Sequence, residues 1–284
     1  MPNRYNTISF LSDFGIKDEF VGVVHSVFRS IAPQVEVIDI THGIPAHDVK
    51  AGSLALARSV EYLCPGIVVA VVDPGVGTDR KRIAVEVGEG ESILIGPDNG
   101  LLAPAVAMVG GPKRVIELTN TDFHLDSSST TFDGRDVFAP AAAHLANGVV
   151  ITELGESIDP SGLVPAIIPV SYIDEGTLHA EVLWIDQYGN IQLNIGFEDL
   201  PEGQLQVKIE EQIHSVDRVT TFDQIPESGF GLIVDSSGLI EIAALRSSAA
   251  KELRTSTGDS IQIINTSNES NSSTPVSIQP KKEN

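Results

Sequence analysis

Four short strings set a carboxylate beside a glycine at the edge of an apolar run: Ser12-Asp13-Phe14-Gly15, Asp73-Pro74-Gly75-Val76-Gly77, Gly96-Pro97-Asp98-Asn99-Gly100 and Thr131-Phe132-Asp133-Gly134-Arg135-Asp136. A carboxylate at the end of a strand can accept both hydroxyls of a ribose, and adjacent glycines let the backbone approach a ligand closely. Taken singly, an Asp-Gly pair is a turn. Four of them at successive strand ends specify a ligand site along one edge of a sheet. Asp13, Asp73, Asp98, Asn99, Phe132, Asp133 and Gly134 are therefore the candidates to line that site.

The elements that must carry these strings follow from periodicity. Short β-branched runs alternate with helical stretches up to about Val150, the pattern of βα units in a mostly parallel sheet. Strands are expected at 8–11, 36–40, 67–72, 83–87, 92–95 and 114–118, and helices at 20–31, 49–63 and 140–146, the last closed by Asn147-Gly148. Three prolines and a glycine between Asp159 and Pro169 interrupt the pattern. Beyond them strands dominate, at 178–185, 191–194, 204–209, 231–234, 240–243 and 260–264, with one helix at 247–253. The expected fold is an α/β domain over 1–165, a small antiparallel, all-β, barrel-like domain over 166–265, and a disordered tail over 266–284, where Asn, Ser, Thr and Lys prevail.

Composition narrows the partners. With 39 acidic against 18 basic residues the formal charge is −21, which repels nucleic acid and anionic membrane surfaces and favours a cationic small ligand. The N-terminus lacks a secretory pattern and no apolar run reaches membrane-spanning length, so the expected location is the cytoplasm. The single cysteine, Cys64, is expected to be a buried, inert thiol in a helix-to-strand connection. The seven histidines show no close ligand spacing such as H-x-x-x-H, so no metal set is read from the sequence. His42 and His47 flank a proline-containing loop and are read as surface or hydrogen-bonded groups, with pocket lining as the alternative. Arg135 and Asp136 are read as a structural ion pair at a helix start, and Trp184 as a core residue.

The same strings, in one order with Asp39-Ile40-Thr41-His42, Ile185-Asp186-Gln187-Tyr188-Gly189-Asn190 and Ser236-Ser237-Gly238-Leu239-Ile240-Glu241-Ile242-Ala243, resemble the S-adenosylmethionine hydroxide adenosyltransferase family, relatives of the fluorinase and chlorinase. The resemblance covers about residues 7 to 265. It implies hydrolysis of S-adenosylmethionine to adenosine and methionine without metal or cofactor, in a homotrimer whose sites lie between subunits. It also implies roles: Asp13 for the ribose hydroxyls, Asn190 for the adenine edge, and Asp186 with Ser236 for the methionine ammonium. The family's water-handling set is an Asp, an Arg and a His. The first two fall on Asp73 and Arg80, whereas the family's Thr-Phe-His-Gly-Arg-Asp reads Thr131-Phe132-Asp133-Gly134-Arg135-Asp136 here.

Attack of water at C5′ expels a neutral thioether from a sulfonium, so the leaving group needs no acid. The water needs orientation and a base, a role for Asp73 held by Arg80, with Asp133 either in place of the histidine or only paired with Arg80 or Arg135, which would leave a slow or substrate-altered enzyme. Three alternatives stand beside this: a magnesium-dependent phosphoesterase, a binding module without turnover, and halide transfer.

Overall fold

The computed structural model describes residues 5–266. The expected disordered tail, apart from Thr266, lies outside the described residues. Two compact units divide at Ile168 and Pro169.

The first unit holds seven strands: β1 (Thr7–Ser12), β2 (Glu36–Thr41), β3 (Ile67–Val71), β4 (Arg82–Val87), β5 (Ser92–Pro97), β6 (Arg114–Glu117) and β7 (Glu156–Ile158). Their order is β2-β1-β3-β5-β4-β6-β7. The β2-β1-β3-β5 half is parallel, and each later neighbour is antiparallel to the one before it, so five strands share one direction. Two features of this order place the site. The chain runs from β1 out to β2 and back across to β3, so the carboxyl ends of β1 and β3 flank a topological switch point, where open α/β sheets bind ligands. And because β4 is antiparallel to β5, with Arg82 opposite Pro97, its first residues lie at the same edge as the last residues of β3.

Helices α1 (Phe20–Ile31), α2 (Val49–Val60), α3 (Ala103–Met108) and α4 (Ala139–Ala146) cover this sheet. Helix α1 buries Val24, Val27 and Phe28, the i, i+3, i+4 stripe of an amphipathic helix. The Asp48 side chain caps α2 by accepting from the Ala51 N–H at 2.9 Å. Helix α4 is alanine-rich and almost wholly buried, so it packs closely on α1. It ends at Asn147 with Gly148 at φ +93°, as the sequence indicates. Helix α2 stops at Val60, three residues earlier than expected, and Cys64 lies exposed in the following turn rather than buried. The buried run resumes only at Gly66, two residues beyond the thiol.

The second unit contains β8 (Tyr172–Asp174), β9 (Thr177–Ile185), β10 (Ile191–Gly196), β11 (Leu205–Ile209), β12 (Gln212–Arg218), β13 (Phe230–Val234), β14 (Leu239–Ala244), the short helix α5 (Ala249–Leu253) and β15 (Ser260–Asn265). The order β10-β14-β13-β12-β11-β15-β9 closes through a β9–β10 pairing into a seven-stranded barrel, with β8 appended to β9. Alternate residues such as Leu205, Val207 and Ile209 point inward and are buried. The barrel is not wholly antiparallel: β12 and β13 run parallel, because the chain between them makes a separate excursion over 219–229 instead of a hairpin. Among the described residues, no helix is long and apolar enough to cross a membrane.

Gly96 marks how tightly β5 sits against β3. A Cβ there would stand 2.4 Å from the Ala70 carbonyl oxygen. Gly96→Ala is therefore expected to destabilise the protein by about 1–3 kcal/mol, the usual cost of overpacking. Urea unfolding checks this as a lower midpoint at unchanged slope.

Candidate active site

The loop between β3 and β4 turns twice. Val76 N–H donates to the Asp73 carbonyl at 3.3 Å, and Thr78 N–H and Oγ1–H both donate to the Gly75 carbonyl, at 3.1 and 2.7 Å. A Cβ on Gly75 would press on the Arg80 side chain at 3.3 Å, so the glycine leaves room for Arg80 to fold back over the loop. Its Nε donates to Asp73 Oδ1 at 2.9 Å, and its Nη2 donates both to Asp73 Oδ2 and to Asp133 Oδ2. Asp133 arrives from a different part of the chain, one residue before the π-helical turn Gly134–Phe138 that leads into α4.

One guanidinium thus joins two carboxylates 60 residues apart in sequence, and all three side chains are nearly buried, at 5% to 10% exposure. Burial alone would push the Arg80 guanidinium toward losing its proton, but the hydrogen bonds and charges of Asp73 and Asp133 outweigh it and hold its pKa above the ordinary value. The Phe138 ring, 5.6 Å from Arg80 Cζ, closes the other side. Arg82 Nη1 stands 3.8 Å from Asp133 Oδ1, but it is 42% exposed and adds little.

Beside this cluster is a cavity of about 550 Å³, lined among others by Asp13, Asp73, Asp133, Phe132 and Gly134. Five of the sequence-derived candidates therefore meet at the switch point. Arg80 is not part of the lining; it braces the wall from behind. Asp13 lies just past β1, and its Oδ2 accepts the His47 N–H at 2.8 Å. His47 adopts φ +68°, a left-handed conformation that a non-glycine residue rarely takes, and it lies in the loop that delivers Asp48 to cap α2. Phe14, Phe20 and Phe132 form an edge-to-face cluster, with centroids 5.4 to 6.1 Å apart, as one apolar wall. A Cβ on Gly134 would lie 3.0 Å from the Phe14 ring, so only glycine leaves that cluster undisturbed.

Asp98 and Asn99 are not in this lining. Asp98 Oδ1 accepts the Val164 N–H at 2.9 Å, and Asn99 donates from Nδ2 to the Val72 carbonyl at 2.9 Å and accepts the Leu101 N–H at 3.2 Å. The structure thus shows them bracing the strand edge. Arg135 pairs with Asp136 at 2.6 and 2.8 Å, as expected. His42 is buried away from the cavity, while His47 lines it. The sequence reading passed over Phe20 and over His124. The latter lines a smaller cavity of about 230 Å³ that shares Asp133. Burial and the nearby Arg82 hold His124 below the ordinary histidine pKa, against the pull of Asp133.

Residues 8–155 match the SAM hydroxide adenosyltransferase N-terminal domain, and residues 180–262 match its C-terminal domain. The chain belongs to the SAM hydroxide adenosyltransferase family. Over 90% of its length it is 42% identical to a protein named (R)-S-adenosyl-L-methionine hydrolase from Salinispora arenicola, covering 97% of that relative, and 33% identical to a protein of the same name from Thermus thermophilus, covering 99%. A fluorinase from an Actinoplanes species is 27% identical over 78% of this chain and 83% of its own. An uncharacterized conserved protein from Thermotoga maritima has a crystal structure that superposes with a TM-score of 0.82 at 30% identity, covering 90% of this chain and 99% of its own.

In the unit that matches the family's C-terminal domain, Asp186 and Asn190 form one rigid turn. Asp186 Oδ1 accepts the Tyr188 and Asn190 N–H groups at 2.9 Å each, and Oδ2 accepts the Asn190 side chain at 3.0 Å. Gly189 is required there: at φ +88° its missing Cβ would collide with Ser248. Asn190 lines a cavity of about 730 Å³ that also involves Arg246 and Ser248, whereas Ser236 is exposed in the β13–β14 turn. Asp235, next to it, accepts the Ser237 and Leu239 N–H groups and the Gln192 side chain.

Glu241, opposite Gln192 across β10 and β14, is a further ionisable group that the sequence did not single out. Burial, reinforced by the charges of Asp186 and Asp235, pushes its carboxyl up to about 7. A carboxyl that keeps its proton longer in the folded state destabilises the fold as the pH climbs from the unfolded value, near 4.5, to about 7. Glu241→Gln is expected to match the parent at pH 4 and to exceed it by about 1–3 kcal/mol at pH 8. Urea unfolding across that range measures the difference.

Proposed function

We propose that this protein hydrolyses S-adenosyl-L-methionine to adenosine and L-methionine, acting on the R configuration at sulfur that the names of its relatives specify. The observation that carries this reading is the Asp73–Arg80–Asp133 cluster in the wall of a switch-point cavity that also holds Asp13. Three carboxylates facing one cavity suit a ligand that bears a sulfonium and an ammonium.

In the proposed reaction, water forms a bond to C5′ as the C5′–S bond breaks, and the bonding pair leaves with sulfur as a neutral thioether. The water proton passes to Asp73 or Asp133 and then to solvent, so each turnover releases one proton. Arg80 does not touch the reacting atoms; it fixes both carboxylates toward the cavity and so acts as a positioning residue. Asp13 takes the ribose hydroxyls, and Phe132 and Gly134 shape the wall. Asp98 and Asn99 contribute by holding the strand edge. A neutral leaving group calls for no Lewis acid, so no metal or cofactor enters the scheme. Halide transfer is disfavoured by the same geometry, because Asp73 and Asp133 would face an incoming anion.

Asn190 is assigned to the adenine edge, and Asp186 with Ser236 to the methionine ammonium. These residues belong to the second unit and the water-handling ones to the first. We therefore propose a homotrimer in which the first unit of one subunit and the second unit of its neighbour share each substrate molecule.

Purified protein treated with chelator and given either sulfonium epimer is expected to yield equal amounts of adenosine and methionine from the R form, separated by chromatography. Asp73→Asn and Asp133→Asn are each expected to slow turnover, by about 10²- to 10⁴-fold for whichever carboxylate takes the proton. Full activity in both variants would rule out the mechanism. Subunit sharing is tested by mixing Asp73→Asn chains with Asn190→Ala chains under conditions that exchange subunits. Random assortment in a closed ring should restore about a quarter of the parent activity. No recovery, with exchange shown by mass spectrometry, would place each whole site within one chain.

A further inference from the structure

A second cluster of chemically active side chains stands on the flank of the first unit. His25 on α1, Asp39 on β2 and His42 just beyond β2 bring two imidazole nitrogens and one carboxylate oxygen within 4.8 Å of one another. Asp39 Oδ1 is 2.8 Å from His25 Nε2 and 3.0 Å from His42 Nε2. None of the three lines the substrate cavity.

His42 makes this arrangement informative. Its side chain is 93% buried, judged by its 7% exposure, and its Nε2 has no hydrogen-bond partner although Asp39 Oδ1 is close. The carboxylate oxygen therefore sits off the line along which that nitrogen donates or accepts. Two ligands of one ion stand in that relation, because each aims at the metal rather than at the other; His25 Nε2 is aligned on the same oxygen as a hydrogen bond, whose proton an ion would displace. The far nitrogen is held in place: His42 Nδ1 is 2.7 Å from Ser12 Oγ, which also accepts the Phe14 N–H at 3.3 Å. With Ser12 accepting from Nδ1–H, the tautomer leaves a lone pair on Nε2, directed at the cluster. That is the outer-shell contact that metal-binding histidines ordinarily make.

We propose that His25, Asp39 and His42 bind a single divalent transition ion of the zinc class (Zn²⁺, Co²⁺ or Ni²⁺) through two imidazole nitrogens and one carboxylate oxygen. The ligand set selects against Mg²⁺ and Ca²⁺, which prefer all-oxygen shells. Bonds of about 2.0–2.2 Å would set tetrahedral ligands about 3.4 Å from each other, about half an ångström wider than the two present nitrogen–oxygen spacings of 2.8 and 3.0 Å. Asp39 and His25 can make that shift, since their side chains are 42% and 35% exposed. The same exposure leaves solvent to fill the fourth position. The ion would tie α1 to β2 and, through His42 and Ser12, to the turn that carries Asp13. It takes no part in the hydrolysis proposed above and does not depend on it.

The test uses the full chain after chelator treatment. Calorimetric titration with Zn²⁺ should show one equivalent, and Co²⁺ should give the intense visible bands of a tetrahedral nitrogen–oxygen site. His25→Ala, a change at a partly exposed position, should abolish both signals while leaving circular dichroism and metal-free turnover intact. Asp39→Asn should abolish them by a second route, and Ser12→Ala should weaken binding about 10- to 100-fold. No binding by the parent chain would overturn the proposal, as would binding that survives unchanged in His25→Ala or Asp39→Asn.

Discussion

The site depends on a charge constraint: Asp73 and Asp133, both nearly buried, are held by one shared guanidinium. Two carboxylates withdrawn from water repel each other and lose hydration, and Arg80 offsets both losses at once by donating to each. A buried ion cluster of this kind is weak as a stabilising device, since apolar side chains of similar volume are often as good or better. Its value lies in geometry. The planar guanidinium fixes the direction of each carboxylate, and with Arg80 outside the cavity lining both acids face the space where a ligand would sit.

Topology makes the clamp possible. Were β4 parallel to β5, the loop after β3 would have to cross the sheet, and Arg80 would start from the opposite edge. The antiparallel β4 instead returns the chain at the edge where β3 ended, and two tight turns around Gly75 and Gly77 bring residue 80 back onto residue 73. Asp133 joins from the turn that opens α4, a helix whose alanines let it lie against α1. Packing of small side chains far from the cavity thus sets where the second carboxylate stands.

Much of this was legible in the sequence, and the physical reason differs by residue. Strands β1 to β6 and helix α1 announce themselves by period, and Asp13 and Asp73 stand out because a polar residue directly after a buried strand must do something. Helix α3 was missed because Leu101-Leu102-Ala103-Pro104 reads as a broken apolar run, although a proline in the first turn is compatible with a helix. Exposed Cys64 was misjudged because its apolar neighbours belong to a turn. Strand β12 is absent from the sequence expectation because its residues are mostly exposed and only Val216 is buried, and its parallel pairing with β13 depends on how the chain returns rather than on strand composition. Asp98 looked like its neighbours at the strand end, but its carboxylate is used on the Val164 N–H, a partner 66 residues away. The raised pKa of Glu241 and the His25–Asp39–His42 cluster share that limitation, because each depends on groups that only the fold brings together.

The aspartate at position 133 can be weighed on physical grounds. A neutral imidazole there would leave Arg80 paired with one carboxylate and the cluster near zero charge. Asp133 makes the cluster net anionic, which favours a sulfonium in the ground state and disfavours any anionic nucleophile, halide included. Water attack suits the proposed base in either place, because the departing thioether needs no proton and the carboxylate has only the water's proton to accept. The aspartate therefore supplies charge complementarity to a reaction whose substrate is a cation and whose leaving group is neutral.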